Sequence, residues 1–235
     1  MCGIAGVMHR GKTSTVGSEM TTMLKAMKHR GPDSTGFALY QESMPKNNFV
    51  MRFKVAEGSE AQSGFDIQSL MQERIKKVDA RLKELKAVVE KKSQDTVYAC
   101  RYEFKFDGSL RKLANYVEDL EGVEILSIGK GLELIKDLGD ADNVSETYNL
   151  RGFSGTHAIG HTRMATESDV DIRSAHPYWA YPLSDVSVVH NGQLTNYWTK
   201  RRELERKGHR FMSNCDSELV AVYIADSIDQ GKSLE

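Results

Sequence analysis

The stretch Met1-Cys2-Gly3-Ile4-Ala5-Gly6 opens the chain and predicts both its first strand and its chemistry. Cysteine is small enough for the initiator methionine before it to be removed, which leaves Cys2 with a free α-amino group beside its thiol. An α-amino group titrates near ~8, so a partly neutral amine can take the thiol proton and activate the sulfur as a nucleophile. The small apolar residues from Gly3 to Met8 predict a strand, so we expect this terminus to lie in a sheet. The alternative is an incidental cysteine on a mobile terminus.

Composition excludes several classes of function. The chain has 235 residues and a formal net charge of −1, which gives no electrostatic footprint for nucleic acid or an anionic membrane. No apolar run is long enough for a transmembrane helix, and the N-terminus lacks a secretory signal pattern. The three cysteines, Cys2, Cys100 and Cys215, are widely spaced and form no metal-binding pair. These features predict a soluble cytoplasmic protein with free thiols and no metal.

The middle of the chain differs in character from its two ends. From Gln68 to Lys92 the sequence is highly charged, and its apolar residues alternate four and three apart, which predicts one long amphipathic helix. That helix either docks on its own domain or faces a partner. A strand, a helix and a second strand are predicted between Thr96 and Ile128, which suggests a separate inserted subdomain over residues 56–144.

Five short segments outside this middle region form a specific set when they are taken in order. They are Cys2-Gly3-Ile4, His29-Arg30-Gly31-Pro32-Asp33-Ser34, Gly160-His161-Thr162-Arg163-Met164-Ala165-Thr166, His190-Asn191-Gly192 and Ser213-Asn214-Cys215-Asp216-Ser217-Glu218. The set closely resembles the class II glutamine amidotransferases, which are N-terminal-nucleophile (Ntn) hydrolases. Within that class, the HRGPDSTG segment and the large insertion look most like the amidotransferase subunits related to glutamate synthase and N-methylglutamate synthase.

The resemblance implies an α+β fold, the α–β–β–α sandwich of Ntn hydrolases. It covers residues 1–55 and 145–235, so we expect one amidotransferase domain built from these two parts, with an inserted α/β subdomain at 56–144 that contains the long amphipathic helix. Similar domains continue beyond the segment that contains Asp216. We therefore expect the second sheet of the sandwich to be incomplete here, because it is truncated, unusually small or completed by another chain.

The resemblance also implies a role for each matching residue. Cys2 attacks the side-chain amide of glutamine and forms a thioester, while the Asn191 side chain and the Gly192 N–H form the oxyanion hole. Arg163 binds the substrate α-carboxylate through a planar fork of donors, and Thr166 adds a hydroxyl donor to it. Two further residues are implied: Asp216 holds the substrate α-ammonium and Arg30 braces the nucleophile end of the site.

Nothing in the sequence supplies a site for the second half-reaction, since there is no phosphate loop, flavin fingerprint or cluster-binding cysteine set. We therefore expect a glutaminase subunit without a cofactor, which passes ammonia from L-glutamine to a separate synthase. The resemblance implies that FMN and an iron–sulfur cluster lie only on that synthase subunit, in a hetero- or homo-oligomer. The insertion is then expected to be a docking or regulatory module.

Several alternatives stay open from the sequence. One is a stand-alone Ntn amidohydrolase that acts on another amide; another is a non-catalytic subunit that senses glutamine, which a retained Met1 would favour. A papain-like pair of a cysteine with His161, His176 or His190 lacks the local papain signature. His157 and His161 would suggest a metal site on a helix, but their glycine-containing context predicts a strand.

Overall fold

The computed structural model describes residues 2–56, 60, 65–164, 172–183 and 185–233. The strands are β1 Gly3–Thr13, β2 Ser34–Tyr40, β3 Asn48–Lys54, β4 Val88–Gln94, β5 Ala99–Lys105, β6 Glu124–Gly129, β7 Leu132–Leu138, β8 Gly155–Arg163, β9 Tyr178–Trp179 and β10 Ser187–Val188. The α-helices are α1 Val16–Ala26, α2 Phe65–Glu84, α3 Leu110–Glu118, α4 Ala141–Thr147, α5 Tyr197–Arg206 and α6 Asp216–Asp229. None of the helices within these ranges combines the length and the apolar character that a membrane span needs.

The first sheet has four antiparallel strands in the order β1-β8-β2-β7. Its central strands are largely buried because helices α1 and α4 cover one face. Alternate residues of the strands point to that face and form a core with the helices. This core contains Ala5, Val16, Met20, Leu24, Phe37, Leu39, Ile135, Ala141, Val144, Tyr148, Leu150 and Ala158. The antiparallel pairing of β1 with β8 brings the N-terminus of the chain next to the C-terminal end of β8, since Gly3 lies opposite Thr162.

The second sheet also has four strands, in the order β4-β5-β3-β6, and each neighbouring pair is antiparallel. Strands β5 and β6 therefore run parallel to each other on either side of β3, joined by α3. Aromatic and apolar side chains of this sheet pack against α2 and α3. The core includes Met51, Phe53, Met71, Val78, Leu82, Tyr102, Phe104, Leu113, Val117 and Ile128, and it extends to Ala38, Tyr40, Leu132 and Leu134 of the first sheet.

A smaller unit completes the described structure. Strands β9 and β10 form a two-stranded antiparallel sheet, and Tyr178 and Ala180 pack against Ala221 and Ala225 of α6. Helix α5 packs on α6 through Tyr197, Leu204, Leu219 and Val222. This unit holds the loop that carries Asn191 and the start of α6, which carries Asp216.

The structure shows a mixed α/β protein with antiparallel sheets, which agrees with the expected class at that level. The α–β–β–α sandwich stays a prediction. So does the division at residues 56–144, and strand pairing crosses it in two places. β3 belongs to the second sheet although it precedes residue 56, and β7 pairs with β2 although it lies between 56 and 144.

The long helix predicted over Gln68–Lys92 is wrong at its C-terminal end. α2 ends at Glu84, and Val88–Gln94 is strand β4. Lys86 has a left-handed φ of 63°. The N–H of Ala87 donates to the Leu82 carbonyl, and the N–H of Lys86 donates to the Lys83 carbonyl. This pair of bonds is a Schellman motif, which ends a helix even when the apolar spacing continues.

Candidate active site

The thiol of Cys2 lies at the start of β1, against the end of β8. Its Sγ accepts a hydrogen bond from the Met164 N–H at 3.4 Å and lies 3.9 Å from the Met164 carbonyl oxygen. The side chain is half-buried. The nucleophile predicted from the sequence is therefore held at a strand terminus inside the fold, not on a frayed end.

The backbone carbonyl of Cys2 accepts from two of the predicted site residues. Arg30 Nε donates to it at 3.3 Å, from a short 3₁₀ turn at Lys28–Arg30 that follows α1. Asn191 Nδ2 donates to it at 3.2 Å, from the loop after β10. Asn191 and Gly192 are both exposed, so this loop borders open solvent. The structure thus brings Arg30 and Asn191 together at Cys2.

The other side of the Asn191 amide is held by His161. His161 Nε2 lies 2.8 Å from Asn191 Oδ1. The His161 side chain is almost fully buried on β8, with 1% of its surface exposed. Burial lowers the pKa of His161 to about 4, so the ring is neutral at neutral pH. Its ring stacks on that of His176, with centroids 4.2 Å apart.

Arg163 is the last residue of β8 and is mostly buried. The turn that follows Arg30 packs closely against it: the Asp33 N–H donates to the Arg163 carbonyl at 3.1 Å. A Cβ atom at Gly31 would lie 2.6 Å from the Arg163 carbonyl carbon, so only glycine fits there. The HRGPDS segment therefore sets the backbone position of Arg163. Thr166 lies outside the described residues.

Asp216 is the first residue of α6 and is half-buried. Its Oδ2 accepts from the Leu194 N–H at 2.7 Å, which fastens the loop carrying Asn191 and Gly192 to the start of the helix. His190 adds a second link between the same elements, because its Nδ1 lies 3.0 Å from Ser217 Oγ. Asp216 and Asn191 are thus held in one connected unit.

The rival interpretations are not favoured by this geometry. Within the described ranges, the hydrogen bonds of Cys2 Sγ go to Met164, while His161 contacts Asn191 and His190 contacts Ser217. His157 and His161 lie on strand β8, as the glycine-containing context predicted. Among the described residues, no three His, Cys, Asp or Glu side chains are grouped so that they could hold a metal ion.

Comparison with known proteins shows the family to which the chain belongs. A family model described as a glutamine amidotransferase domain matches residues 161–234. A protein of Methanothermobacter thermautotrophicus named "Putative glutamine amidotransferase" is 38% identical over 237 residues, which cover 100% of this chain and 75% of that protein. The glutamine amidotransferase-like protein GlxB of Rhizobium meliloti is 32% identical to this chain over 237 residues, and the aligned region is 72% of the length of GlxB. The chain belongs to the glutamine amidotransferase family.

A more distant similarity supports its assignment to the class II, Ntn-type amidotransferases. The glutamine–fructose-6-phosphate aminotransferase of Gluconobacter oxydans is 35% identical over 123 residues. These residues are 52% of this amidotransferase but only 20% of the aminotransferase. The two proteins therefore share one part, and most of the aminotransferase has no counterpart in this chain.

Two residues of this amidotransferase site were not assigned a role from the sequence. The sequence offers His161 only as a rival partner for a cysteine or as a rival metal ligand with His157, because its partner Asn191 is thirty residues away in the chain. Glu218 is buried, and its carboxylate accepts from the N–H groups of Met212 and Ser213 at 2.6 and 2.7 Å, which holds the loop before Asp216. A glutamate in the first turn of a predicted helix is a signal for a bond to the N-cap N–H; here the carboxylate reaches past the N-cap, Cys215, to the loop before it.

Proposed function

We propose that this amidotransferase hydrolyses the side-chain amide of L-glutamine through a thioester on Cys2 and passes the ammonia to a separate synthase. The observation that carries the proposal is the position of Cys2. Its sulfur sits at the end of β8 beside Met164, while its carbonyl accepts from Asn191, the proposed oxyanion donor. The proposed nucleophile and the proposed oxyanion donor therefore lie beside each other, which supports a site for acyl transfer.

The chemistry would proceed in two acyl-transfer steps. After removal of Met1, the Cys2 α-amino group takes the thiol proton and the sulfur attacks the amide carbon of glutamine. The negative oxygen that forms is stabilised by the Asn191 Nδ2 and the Gly192 N–H, each worth roughly 3 kcal/mol in this role. When this intermediate collapses, the C–N bond breaks. The proton that the Cys2 α-amino group took from the thiol passes to the leaving nitrogen, which departs as ammonia. Water then attacks the thioester, which releases glutamate and restores the thiol.

The proposed binding residues match the two charged groups of glutamine, its α-carboxylate and its α-ammonium. We assign the α-carboxylate to Arg163, with Thr166 as a further donor, and the α-ammonium to Asp216. An arginine fork matches a carboxylate with two parallel hydrogen bonds. A carboxylate on the first helical turn, tied down by the Leu194 N–H, is well placed to hold an ammonium group without moving.

The acceptor is proposed to lie on another domain or subunit. The shared region with the fructose-6-phosphate aminotransferase supports a glutaminase part that serves different acceptors in different proteins. We propose a glutamate synthase-like partner that carries FMN and an iron–sulfur cluster, in line with the HRGPDSTG segment. The inserted region would then be the docking or regulatory module. Without the partner, the chain should release free ammonia.

The test is intact mass spectrometry before and after incubation with the diazoketone analogue of glutamine, combined with a glutaminase assay. The native chain should lack Met1, gain one adduct on Cys2 and release glutamate and ammonia in equal amounts. Cys2→Ala should lose both the adduct and the activity. Cys100→Ala is the matched control and should keep both, because burial raises the pKa of Cys100 to about 11 and keeps that thiol protonated. A retained Met1, or an adduct on Cys215, contradicts the proposal.

A further inference from the structure

The orientation of the Asn191 amide is decided by its two partners. The carbonyl oxygen of Cys2 can only accept, so the group that faces it at 3.2 Å must be the Asn191 NH₂. The Asn191 oxygen then faces His161 Nε2 at 2.8 Å. An oxygen acceptor at that distance requires a proton on Nε2. The pair of contacts therefore specifies one tautomer of His161.

The surroundings of His161 favour the same tautomer. Its Nδ1 is buried and has no hydrogen-bond partner in the described part of the chain. A proton on Nδ1 would leave a buried donor unpaired, whereas a bare lone pair there costs less. The ring is neutral at neutral pH because burial lowers its pKa to about 4, and the stacked ring of His176 fixes its plane. Neutral His161 thus presents a single fixed N–H to Asn191.

One hydrogen of the Asn191 amide is used by the Cys2 carbonyl, so its second hydrogen is the one available to an oxyanion. If the amide rotated by half a turn, its oxygen would face the Cys2 carbonyl and the developing negative charge, and both contacts would be repulsive. We propose that His161 is a positioning residue that locks the Asn191 amide in its donating orientation, and so maintains the oxyanion hole. This inference rests on the proposed glutaminase function, and it assigns a role to a residue outside the predicted site.

The first experiment compares two amide substitutions. Glutamine carries its NH₂ near the position of histidine Nε2, whereas asparagine carries it near Nδ1. His161→Asn should therefore lower kcat by about 10- to 100-fold, a fraction of the loss typical for a missing oxyanion donor. The KM for glutamine should change by less than about threefold, because Arg163 and Asp216 bind the substrate. His161→Gln should recover most of the lost kcat. His157→Phe on the same strand is the control and should keep wild-type kcat, since His157 stacks on Tyr40 and contacts Thr156 instead.

A double-mutant cycle separates positioning from a general structural effect. In an Asn191→Ala background, His161→Asn should cause little further loss of kcat, because the amide that it positions is gone. All kcat values are taken per active site titrated with the diazoketone, so that unfolded protein does not count. Equal losses in His161→Gln and His161→Asn, or full additivity with Asn191→Ala, would overturn the inference while leaving the glutaminase function intact.

The second experiment does not depend on activity. Long-range proton–nitrogen NMR of the ¹⁵N-labelled wild-type chain should show His161 as the neutral Nε2–H tautomer at pH 7, and still neutral at pH 5.5. An Nδ1–H tautomer or a charged ring at pH 7 refutes the positioning role. If the wild-type chain shows no glutaminase activity, the proposed function fails, and this measurement still decides the orientation of the Asn191 amide.

Discussion

At the residue scale, the carbonyl oxygen of Cys2 is the point where distant parts of the chain meet. Arg30 and Asn191 both donate to it, at 3.3 and 3.2 Å. These two contacts hold the backbone of Cys2, the proposed nucleophile, beside the end of β8. Rigid placement of a reacting atom can supply several kcal/mol of a reaction barrier, because the entropy cost of alignment is met in advance.

A glycine in β2 controls the packing behind this site. A Cβ atom at Gly36 would lie 1.9 Å from the backbone oxygen of His176, which cannot move without shifting the ring that stacks on His161. We expect Gly36→Ala to lower the free energy of unfolding by about 3 kcal/mol, the upper range for overpacking. The measurement is urea denaturation followed by circular dichroism.

Gly6 offers a matched control for that substitution. It lies in β1 of the same sheet, and a Cβ atom there would make an ordinary contact with Ile159 Cγ2 at 3.6 Å. Gly6→Ala should therefore change the free energy of unfolding by less than about 1 kcal/mol. Equal effects of the two substitutions would show that the contact between β2 and His176 is not tight.

At the element scale, the left-handed residue at the end of α2 predicts opposite effects of glycine substitutions on stability. Lys86 is exposed and has a φ of 63°, a left-handed conformation that costs about 1 kcal/mol for a residue with a Cβ atom. Lys86→Gly should therefore raise the free energy of unfolding by about 0.5 to 1 kcal/mol. The same change at exposed Lys76, inside α2, should lower it by about 1 kcal/mol. Thermal unfolding of the two variants checks the opposite signs, and destabilisation by both would contradict the proposed helix end.

This helix also shows what the sequence could and could not predict. The apolar spacing correctly indicated an amphipathic helix, because Met71, Val78 and Leu82 are buried in its core. The same spacing continued to Val89, which lies in β4, since a run of charged and β-branched residues is compatible with either element. The helix ends because Lys86 adopts a left-handed backbone conformation. A lysine, unlike a glycine, does not indicate that conformation in the sequence.

The candidate active site also shows a limit of prediction from sequence, for a different reason. The residues Cys2, Arg30 and Asn191 could be named from short motifs, because each motif is local. Their contacts span 28 and 189 positions in the chain, and periodicity carries no information at that distance. The role of His161 was missed because nothing local distinguishes it from an ordinary buried histidine.

At the scale of the whole molecule, the second sheet is inserted into a hairpin of the first. β2 and β7 are antiparallel neighbours, and where they meet the Gln41 N–H donates to the Gly131 carbonyl at 2.9 Å. Everything from β3 to β6 lies between these two residues in the chain. The sheets are nevertheless not independent, because one hydrophobic core includes side chains of both.

Hydrogen-bonded ion pairs also connect the two sheets, in addition to the shared hydrophobic core. Glu133 of β7 is 2% exposed and accepts from Arg52 Nε of β3 at 2.7 Å. It also accepts from Arg101 of β5, through Nε and Nη2, both at 2.8 Å. Burial alone would raise the pKa of Glu133, but the two guanidiniums hold it below its usual value. A carboxylate between two sheets that is charged and fully hydrogen-bonded should make their unfolding cooperative.

We therefore expect Glu133→Gln to lower the free energy of unfolding by about 3 kcal/mol, because it leaves the buried guanidinium of Arg52 and the partly buried one of Arg101 with one counterion fewer. Glu90→Gln is the control: its ion pair with Lys105 is exposed, so the loss should stay below about 0.5 kcal/mol. Urea unfolding is followed by circular dichroism and by tryptophan fluorescence in a Trp198→Phe background, where the signal comes from Trp179 in the shared core. Both probes should move to the same lower midpoint in Glu133→Gln, since the sheets lose a common support. Two separate transitions, one of them at the wild-type midpoint, would show instead that the inserted sheet unfolds as an independent unit, and would support the predicted self-contained subdomain.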